Sequence, residues 1–191
     1  SKTQGRAWLG MDDEKITLLV IGGSLGAKAV NEAIDRHLET ILGWDIQILW
    51  QTGAPYYEQA KARAEKYSTQ VKVLEFIREM DYAYAASDVV VSRAGALSIA
   101  ELCIVGKPVV FVPYPFAAED HQTSNAMALV NKNAALMVSN DQVMEALLPK
   151  LKTLIDNVEL REVMKENLQS MAITDADKRI ANKIIEIAQT N

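Results

Sequence analysis

The chain has 191 residues, of which 49% are apolar and 24% charged, enough to form one globular domain around a sizeable core. Its net charge of −5 argues against a broad nucleic-acid-binding surface, because such surfaces are basic. The single cysteine, Cys103, excludes an internal disulfide, and no apolar run approaches the roughly 18 residues that a membrane-spanning helix needs.

Residues 1–15 are polar and without clear periodicity, so we expect an irregular linker from a preceding domain, with the folded domain formed by residues 16–191. Residues 16–21 are rich in β-branched side chains and too few for a helix, which predicts a strand. A glycine turn at residues 22–27 follows, and a helical period then continues to about Leu42.

The glycine turn has the composition of a phosphate-binding loop. Gly23 and Gly26 let the backbone turn sharply and approach a ligand closely. The helix that follows presents free N–H groups and the positive end of its dipole. The turn is therefore predicted to cradle phosphate, with a purely structural turn as the alternative.

A dinucleotide fingerprint at this turn would need glycine where Ser24 and Ala27 stand. It would also need an acid near the end of the second strand, where the chain has Gln51. Binding of NAD is therefore disfavoured.

Ser24 also occupies the serine position of the G-x-S-x-G nucleophile elbow found in hydrolases. Asp88 or Asp120 could supply the acid, and His121 is the only histidine downstream of them. Because no strand precedes the first one to build the usual oxyanion loop, a serine hydrolase stays a less favoured alternative.

The next segments continue the alternation of strands and helices. Within them, residues 76–80 follow the third strand, where an apolar side chain could line a base-binding site or simply join the core. The predicted elements are, in chain order, a strand at 46–50, a turn at 53–55, a charged helix through Tyr67, a strand at 71–75, a short helix ending near Ala86, and a strand at 89–92.

A second turn with the features of an anion site follows the fourth strand. Gly95 frees the turn, and the first turn of the next helix, from Ala96 to Ser98, would expose its backbone N–H groups. Glu101 lies one helical turn further, near the face of Ser98. A carboxylate there can accept hydrogen bonds from both hydroxyls of a ribose, although a solvated helix carboxylate is the alternative.

The fifth strand is predicted at residues 109–112. The loop that follows it contains prolines and ends in polar side chains. Asp120 is expected to cap the next helix. Gln122 and Asn125 are three residues apart and hence on one face, where neutral amides suit sugar hydroxyls. His121 could act as a general base, but no second histidine or cysteine is close enough in sequence to suggest a metal site.

The remainder is predicted to be a short strand at residues 135–138 followed by helices from Asp141 onward. Asp175 and Asp177 match the D-x-D pattern of some metal-dependent sugar transferases. Their position at the start of the last helix favours a dipole-complementing role instead.

Strands separated by helices of ten or more residues predict βαβ units. The expected fold class is α/β, a Rossmann-like doubly wound parallel sheet with helices on both faces. Ligands of such folds bind beyond the carboxyl ends of the strands.

Five motifs together resemble the C-terminal half of the MurG family, bacterial N-acetylglucosaminyltransferases that make the lipid II precursor of peptidoglycan. The resemblance covers nearly the whole chain from about Ile16. The motifs lie, in chain order, at residues 21–27, 75–80, 92–101, 111–113 and 121–126.

The resemblance implies one half of a GT-B glycosyltransferase, the half that binds UDP-GlcNAc. It implies that the backbone of Ile77 meets uracil and that Glu101 holds the ribose hydroxyls. The other implied donor-binding residues are Gly23, Ser24, Gly26, Gly95, Ala96, Leu97 and Ser98 near the diphosphate, and His121, Gln122 and Asn125 near the sugar.

The resemblance also implies an inverting transfer to lipid I, no cofactor, no essential bound metal, and no catalytic residue in this chain. The acceptor site, the base and the membrane contact would belong to an N-terminal domain, at the cytoplasmic face of the inner membrane. The chain alone is therefore expected to bind UDP-GlcNAc without turning it over.

Two residues depart from the family pattern, because Leu25 stands where many members carry glutamine and His121 replaces a glutamine seen in some members. A UDP-sugar epimerase, another GT-B transferase and a binding module without catalysis remain as further alternatives.

Overall fold

The computed structural model describes residues 1–117 and 120–190, so Ala118 and Glu119 of the predicted proline-containing loop lie outside the described residues. Its centre is a six-stranded parallel sheet with the strand order β3-β2-β1-β4-β5-β6. The strands are β1 (Thr17–Ile21), β2 (Gln47–Gln51), β3 (Val71–Leu74), β4 (Val89–Ser92), β5 (Val109–Phe111) and β6 (Leu136–Met137). The helices are α1 (Lys2–Leu9), α2 (Lys28–Leu42), α3 (Ala54–Ala64), α4 (Met80–Ala86), α5 (Ala96–Val105), α6 (His121–Val130), α7 (Val143–Asp156), α8 (Val158–Ser170) and α9 (Ala176–Thr190), with a 3-10 turn at Glu65–Tyr67.

Both faces of the sheet are covered, which explains why its strands read as continuous apolar runs. Successive side chains of a strand point to opposite faces. In β1, Leu18 and Val20 join a core with α2, α3 and α7, whereas Leu19 and Ile21 join a second core with α4, α5 and α6. The predicted fold class, a doubly wound parallel sheet, is confirmed.

The strand order reverses between β1 and β4, which are neighbours although two strands separate them in sequence. Ile21 and Ser92, the last residues of these strands, are register partners. The glycine turn after β1 and the turn after β4 therefore start side by side at the carboxyl edge. This is the switch point at which doubly wound folds bind ligands.

The prediction of an irregular segment before Ile16 was wrong for its first part, because α1 begins at Lys2 and packs against α4. The side chain of Arg6 is fully buried there, with Nη2 donating to Asp88 at 2.7 Å and Nε donating to the carbonyl of Ala86 at 3.1 Å. In the sequence, Arg6 stands in a polar segment and gives no sign of burial, because its ion-pair partner Asp88 lies 82 positions away. The role of residues 1–15 as a linker stays a prediction.

The later helices complete the two layers. α7 packs against α2, and α8 packs against α5, where the side chain of Gln169 lies close to Gly106 at the end of α5. Cys103 of α5 is buried, and burial raises the pKa of its thiol. None of the described helices combines the length and the apolarity that crossing a bilayer requires.

Candidate functional site

The glycine turn after β1 is shaped by contact with the end of β2. Gly23 and Gly26 have φ values of 82° and 74°, in the left-handed region that favours glycine. A Cβ on Gly26 would overlap the carbonyl group of Thr52. Gly26 is therefore required by packing, whatever ligand the turn binds. Ser24 of the turn is exposed.

Helix α2 begins directly after this turn without a side-chain cap. Its N-cap residue is Ala27, which has no group that can accept from the first N–H groups of the helix. These N–H groups and the helix dipole favour an anion at this point. The local features predicted for a phosphate cradle are present.

The turn after β4 has the same character. Gly95 is the N-cap residue of α5 and offers no side-chain cap, and no heavy atom lies within 4 Å of the position that a Cβ on Gly95 would occupy. Ala96 and Leu97 are exposed and Ser98 is part-exposed. A second uncapped helix start with open space in front of it thus lies beside the first.

Gln122 and Asn125 of α6 hold this second turn in place. The Gln122 amide oxygen accepts from the N–H of Ala94 at 3.1 Å and from the N–H of Tyr114 at 3.0 Å. Asn125 donates to the carbonyl of Ala94 at 3.3 Å. Because the oxygen of Gln122 is engaged by two donors, its NH₂ group is the part that can serve a ligand, as a donor. The prediction that these two amides share one face of a helix is confirmed.

The other polar residues at the start of α6 are exposed. Asp120 occupies the N-cap position, as predicted, but its side chain makes no capping hydrogen bond and its φ is 53°. The predicted capping interaction is therefore wrong, since the residue adopts a left-handed conformation instead of the extended one that side-chain capping needs. His121 follows as the first residue of α6.

Glu101 lies on α5 one turn inside the second helix start, and its carboxylate is held by a tyrosine that the sequence did not single out. The buried Tyr84 of α4 donates its hydroxyl to Oε2 of Glu101 at 2.9 Å. Burial, followed by the nearby charge of Glu101, raises the pKa of the Tyr84 hydroxyl above its usual range. Tyr84 is therefore a protonated donor at neutral pH.

Gln51, at the end of β2, joins the glycine turn to the loop that precedes α4. Its side-chain nitrogen donates to the carbonyl of Gly23 at 3.0 Å, and its oxygen accepts from the N–H of Ile77 at 3.0 Å. The Ile77 side chain is buried, so only its backbone can meet a base. Because its N–H donates to Gln51, the backbone group that Ile77 can offer to a ligand is its carbonyl oxygen, an acceptor.

A cavity of about 830 Å³ adjoins the glycine turn on the side of α2 and α3. Among the predicted donor-binding residues only Gly26 lines it. Arg93 also lines it, and its Nη1 donates to the carbonyls of Val112 and Pro113 and to Asn140 at 2.8–3.0 Å. Burial lowers the pKa of the Arg93 guanidinium, which remains charged at neutral pH. Arg93 is thus a fixed positive charge beside the two helix starts.

The positions of Asp88 and Asp175 give no support to the alternative roles considered for these two residues. Asp88 lies at the opposite edge of the sheet, where it accepts from the N–H of Thr17 at 2.8 Å. It is therefore remote from the elbow-like Ser24. Asp175, before α9, pairs with Arg179 at 2.9 Å. Within the described part of the chain, no three acidic, histidine or cysteine side chains are grouped as ligands of a metal ion would be.

The described parts of the site suit one chemical kind of ligand. Two uncapped helix starts and Arg93 favour a phosphate-bearing anion at the β1–β4 edge. The Glu101 carboxylate, which only accepts, suits a pair of hydroxyl groups one turn away. Gln51, Tyr84 and Arg93 are contributors that sequence reasoning missed. The available signal was a polar residue ending an apolar strand for Gln51, and none was visible for Tyr84.

Comparison with known proteins agrees with this chemistry. The model of the glycosyltransferase family 28 C-terminal domain matches residues 17–180. A protein of Parabacteroides distasonis named UDP-N-acetylglucosamine–N-acetylmuramyl-(pentapeptide) pyrophosphoryl-undecaprenol N-acetylglucosamine transferase is 43% identical over 187 residues, which are 97% of this chain and 51% of the relative. A protein of Cytophaga hutchinsonii with the same name is 49% identical over 175 residues, 92% of this chain and 47% of the relative.

The fold of the chain is also similar to that of solved structures. The crystal structure of Acinetobacter baumannii MurG is similar with a TM-score of 0.79 and 32% identity, over 91% of this chain and 53% of that one. A UDP-N-acetylglucosamine 2-epimerase is similar with a TM-score of 0.63 at 18% identity, which shows a shared fold alone. The chain spans about half the length of the relatives it matches.

Proposed function

The chain belongs to glycosyltransferase family 28, and from this membership we propose that it is the donor-binding half of an inverting hexosyltransferase. In the proposed reaction GlcNAc moves from UDP-GlcNAc to lipid I and forms lipid II for peptidoglycan synthesis. The support for the acceptor is the shared name of the relatives, and the support for the donor is the chemistry of the site.

One observation carries the donor proposal. Two helix starts without side-chain caps stand side by side at the β1–β4 edge, and a tyrosine-held carboxylate lies one turn inside the second. A nucleoside diphosphate has the matching groups, a pyrophosphate and a ribose diol. We assign the diphosphate to the turns that contain Ser24 and Ser98, and the ribose to Glu101.

The remaining predicted residues complete this placement. The base would lie against the backbone of Ile77, whose carbonyl can accept from the N3–H of uracil. The GlcNAc hydroxyls would lie near His121, Gln122 and Asn125. The Gln122 amide is oriented as a donor, so it would bind a hydroxyl oxygen.

The chemical contribution of this half is electrostatic. As the bond between the sugar and the phosphate breaks, the leaving UDP gains negative charge. Preorganised N–H groups at two helix starts stabilise such charge without moving, and Arg93 adds a fixed positive charge nearby. We therefore propose that donor binding needs no metal ion. The base that activates the acceptor hydroxyl is proposed to lie in another part of the full-length protein.

The partners and location of the full-length protein follow as proposals from the same relatives. They are lipid I as the acceptor, no nucleic acid, and peripheral contact with the cytoplasmic face of the inner membrane. We also propose that the 191 residues bind UDP-GlcNAc without transferring its sugar. The support for this proposal is that the groups described above suit a sugar nucleotide, while the acceptor site is proposed to lie in another part of the full-length protein.

The ribose assignment is tested by titration calorimetry with UDP. Glu101→Ala is expected to weaken UDP binding by at least about tenfold, because two charge-assisted hydrogen bonds are lost. Glu166→Ala, which removes an exposed carboxylate from α8, is the matched control and should leave the affinity unchanged. Tight UDP binding that survives Glu101→Ala would refute the ribose role, and no UDP binding by the unaltered chain would refute the donor proposal.

The choice of sugar nucleotide is tested by thermal denaturation with UDP-GlcNAc, UDP-glucose, UDP and NAD. At equal concentration, a ligand that binds the native state more tightly raises the denaturation midpoint further. UDP-GlcNAc is expected to give the largest increase and NAD none. A larger increase with UDP-glucose would favour another GT-B transferase.

A further inference from the structure

Tyr84 and Glu101 form a hydrogen bond between two helices on one face of the sheet. The hydroxyl of Tyr84 lies 2.9 Å from Oε2 of Glu101, although the two residues are 17 positions apart. The tyrosine is only 4% exposed and belongs to the core between α4, α5 and the sheet. Glu101 is part-exposed, so its carboxylate stands at the boundary between this core and solvent.

The direction of this hydrogen bond is determined by chemistry. An ionised carboxylate only accepts, so the tyrosine must donate. A carboxylate has about four lone-pair positions, and the tyrosine occupies one of them on Oε2. The remaining positions can accept two further hydroxyl groups, which is the number that a ribose diol presents.

The packing of Tyr84 makes this bond an orienting one. A glutamate on a helix surface has several side-chain torsions and loses that freedom when it binds a ligand. A buried aromatic ring has a fixed position, and its hydroxyl therefore fixes one oxygen of Glu101 before a ligand arrives. Preorganisation of this kind reduces the ordering cost of binding.

Tyr84 also connects the loop that contains Ile77 with the Glu101 carboxylate. α4 begins three residues after Ile77, the residue proposed to meet the base. Through Tyr84 the same short segment that carries the base-side loop also holds the ribose-side carboxylate. The distance between the base subsite and the ribose subsite is thus set within one packed unit.

We propose that Tyr84 is a positioning residue that orients Glu101 for the ribose diol and thereby sets the preference of the site for ribonucleotides over nucleotides that lack both ribose hydroxyls. The inference rests on the proposed function, because it takes Glu101 as the ribose ligand. Tyr84 itself is not placed in contact with the donor.

The test compares UDP with 2′,3′-dideoxy-UDP by titration calorimetry on the chain and on Tyr84→Phe. The phenylalanine keeps the ring in the core and removes only the donor. UDP affinity is expected to fall about tenfold, and dideoxy-UDP affinity to stay within about twofold, because the second ligand has no hydroxyl for Glu101 to accept from. In a Glu101→Ala background, Tyr84→Phe is expected to change UDP affinity by less than about twofold.

The control is Tyr82→Phe on the same helix. The ring of Tyr82 stacks on that of Trp8, with the ring centroids 5.2 Å apart, instead of approaching Glu101. Its UDP affinity should match that of the unaltered chain. Equal weakening of both nucleotides by Tyr84→Phe would show a merely structural role and overturn the inference. Unchanged UDP binding in Tyr84→Phe, alongside a large loss in Glu101→Ala, would overturn it while leaving the proposed function intact. If the unaltered chain bound no UDP, both would fail.

Discussion

Gln51 and Gln47 are buried at the two ends of the same strand and make comparable sets of hydrogen bonds. Gln51 bridges the glycine turn and the Ile77 loop at the carboxyl edge. Gln47, at the opposite edge, exchanges hydrogen bonds with the backbone of Asp12 and donates to Thr17. Substitutions of these two residues therefore allow an effect on stability to be distinguished from an effect on ligand binding.

We expect Gln51→Leu and Gln47→Leu each to lower the free energy of unfolding by about 1–3 kcal/mol, because each removes hydrogen bonds that are buried or part-buried and leaves their partners unpaired. Only Gln51→Leu should also weaken UDP binding, by about tenfold, since it frees the loops proposed to hold phosphate and base. Urea denaturation and titration calorimetry measure the two effects. Equal UDP affinities in the two variants would contradict the bridging role of Gln51.

Gly26 and Gly95 lie in the two turns but meet different surroundings. Gly26→Ala is expected to lower the free energy of unfolding by at least about 2 kcal/mol, because the residue has φ 74° and its Cβ would overlap Thr52. Gly95→Ala should change stability by less than about 0.5 kcal/mol, since its position faces open space. We expect it nevertheless to weaken UDP binding, because the methyl group would enter the space proposed for the diphosphate. Unfolding curves and UDP titrations of both variants provide the check, and undiminished UDP binding by Gly95→Ala would count against that placement.

At the scale of elements, the buried side chain of Arg6 links α1 to the rest of the domain. Arg6 reaches Asp88, the carbonyl of Ala86 and the carbonyl of Asp13, so α1, α4 and the start of β4 are held by one side chain. Lys2 contacts the same carboxylate at 2.6 Å but is half exposed.

Arg6→Met is expected to lower the free energy of unfolding by about 3 kcal/mol, because it removes one partner of a buried ion pair and leaves backbone acceptors unsatisfied. Lys2→Ala is the control and should cost less than about 1 kcal/mol, as exposed pairs do. Thermal or urea denaturation distinguishes them. Similar small losses in both variants would mean that α1 contributes little to the stability of the domain.

The helices that follow the six strands, α2 to α7, all start without a side-chain cap. α1 and α8, which do not follow a strand, are capped by Ser1 and by Asn157, which accepts from the N–H of Leu160 at 2.8 Å. Uncapped starts are costly unless water or a ligand satisfies them. Those of α2 and α5 lie at two adjacent strands of the switch point, which fits the proposal that they serve an anion.

At the scale of the whole molecule, the acidic net charge is compatible with the proposed anion site, because the anion is proposed to meet backbone dipoles and Arg93, and not a broad cationic surface. We therefore expect UDP-GlcNAc affinity to be unchanged within about twofold after treatment with EDTA. Titration calorimetry with and without the chelator measures this, with added Mg²⁺ as the control. A loss of binding that Mg²⁺ restores would show that a metal ion takes part.

Much of the architecture follows from local sequence. The apolar runs of the strands, the glycine turns and the helical periods of α2 and α5 are determined by side chains within a few positions of one another. For this reason the six strands, the helices from α2 onward and the carboxyl-edge location of Gly26 and Gly95 could be predicted. α1 could not, because the groups that Arg6 meets at α4 and before β4, the carbonyl of Ala86 and the carboxylate of Asp88, lie about 80 positions away.

The sequence by itself determined the fold class, the order of the elements from β1 onward and the residue types available at the proposed donor site. The tertiary structure decided which of them touch: Gln51 with Gly23 and Ile77, Gln122 with Ala94, and Tyr84 with Glu101. The physical reason is that strand formation and helix periodicity are local, whereas a hydrogen bond between side chains on different elements depends on strand order, register and helix crossing. Those are set by burying both faces of the sheet at once.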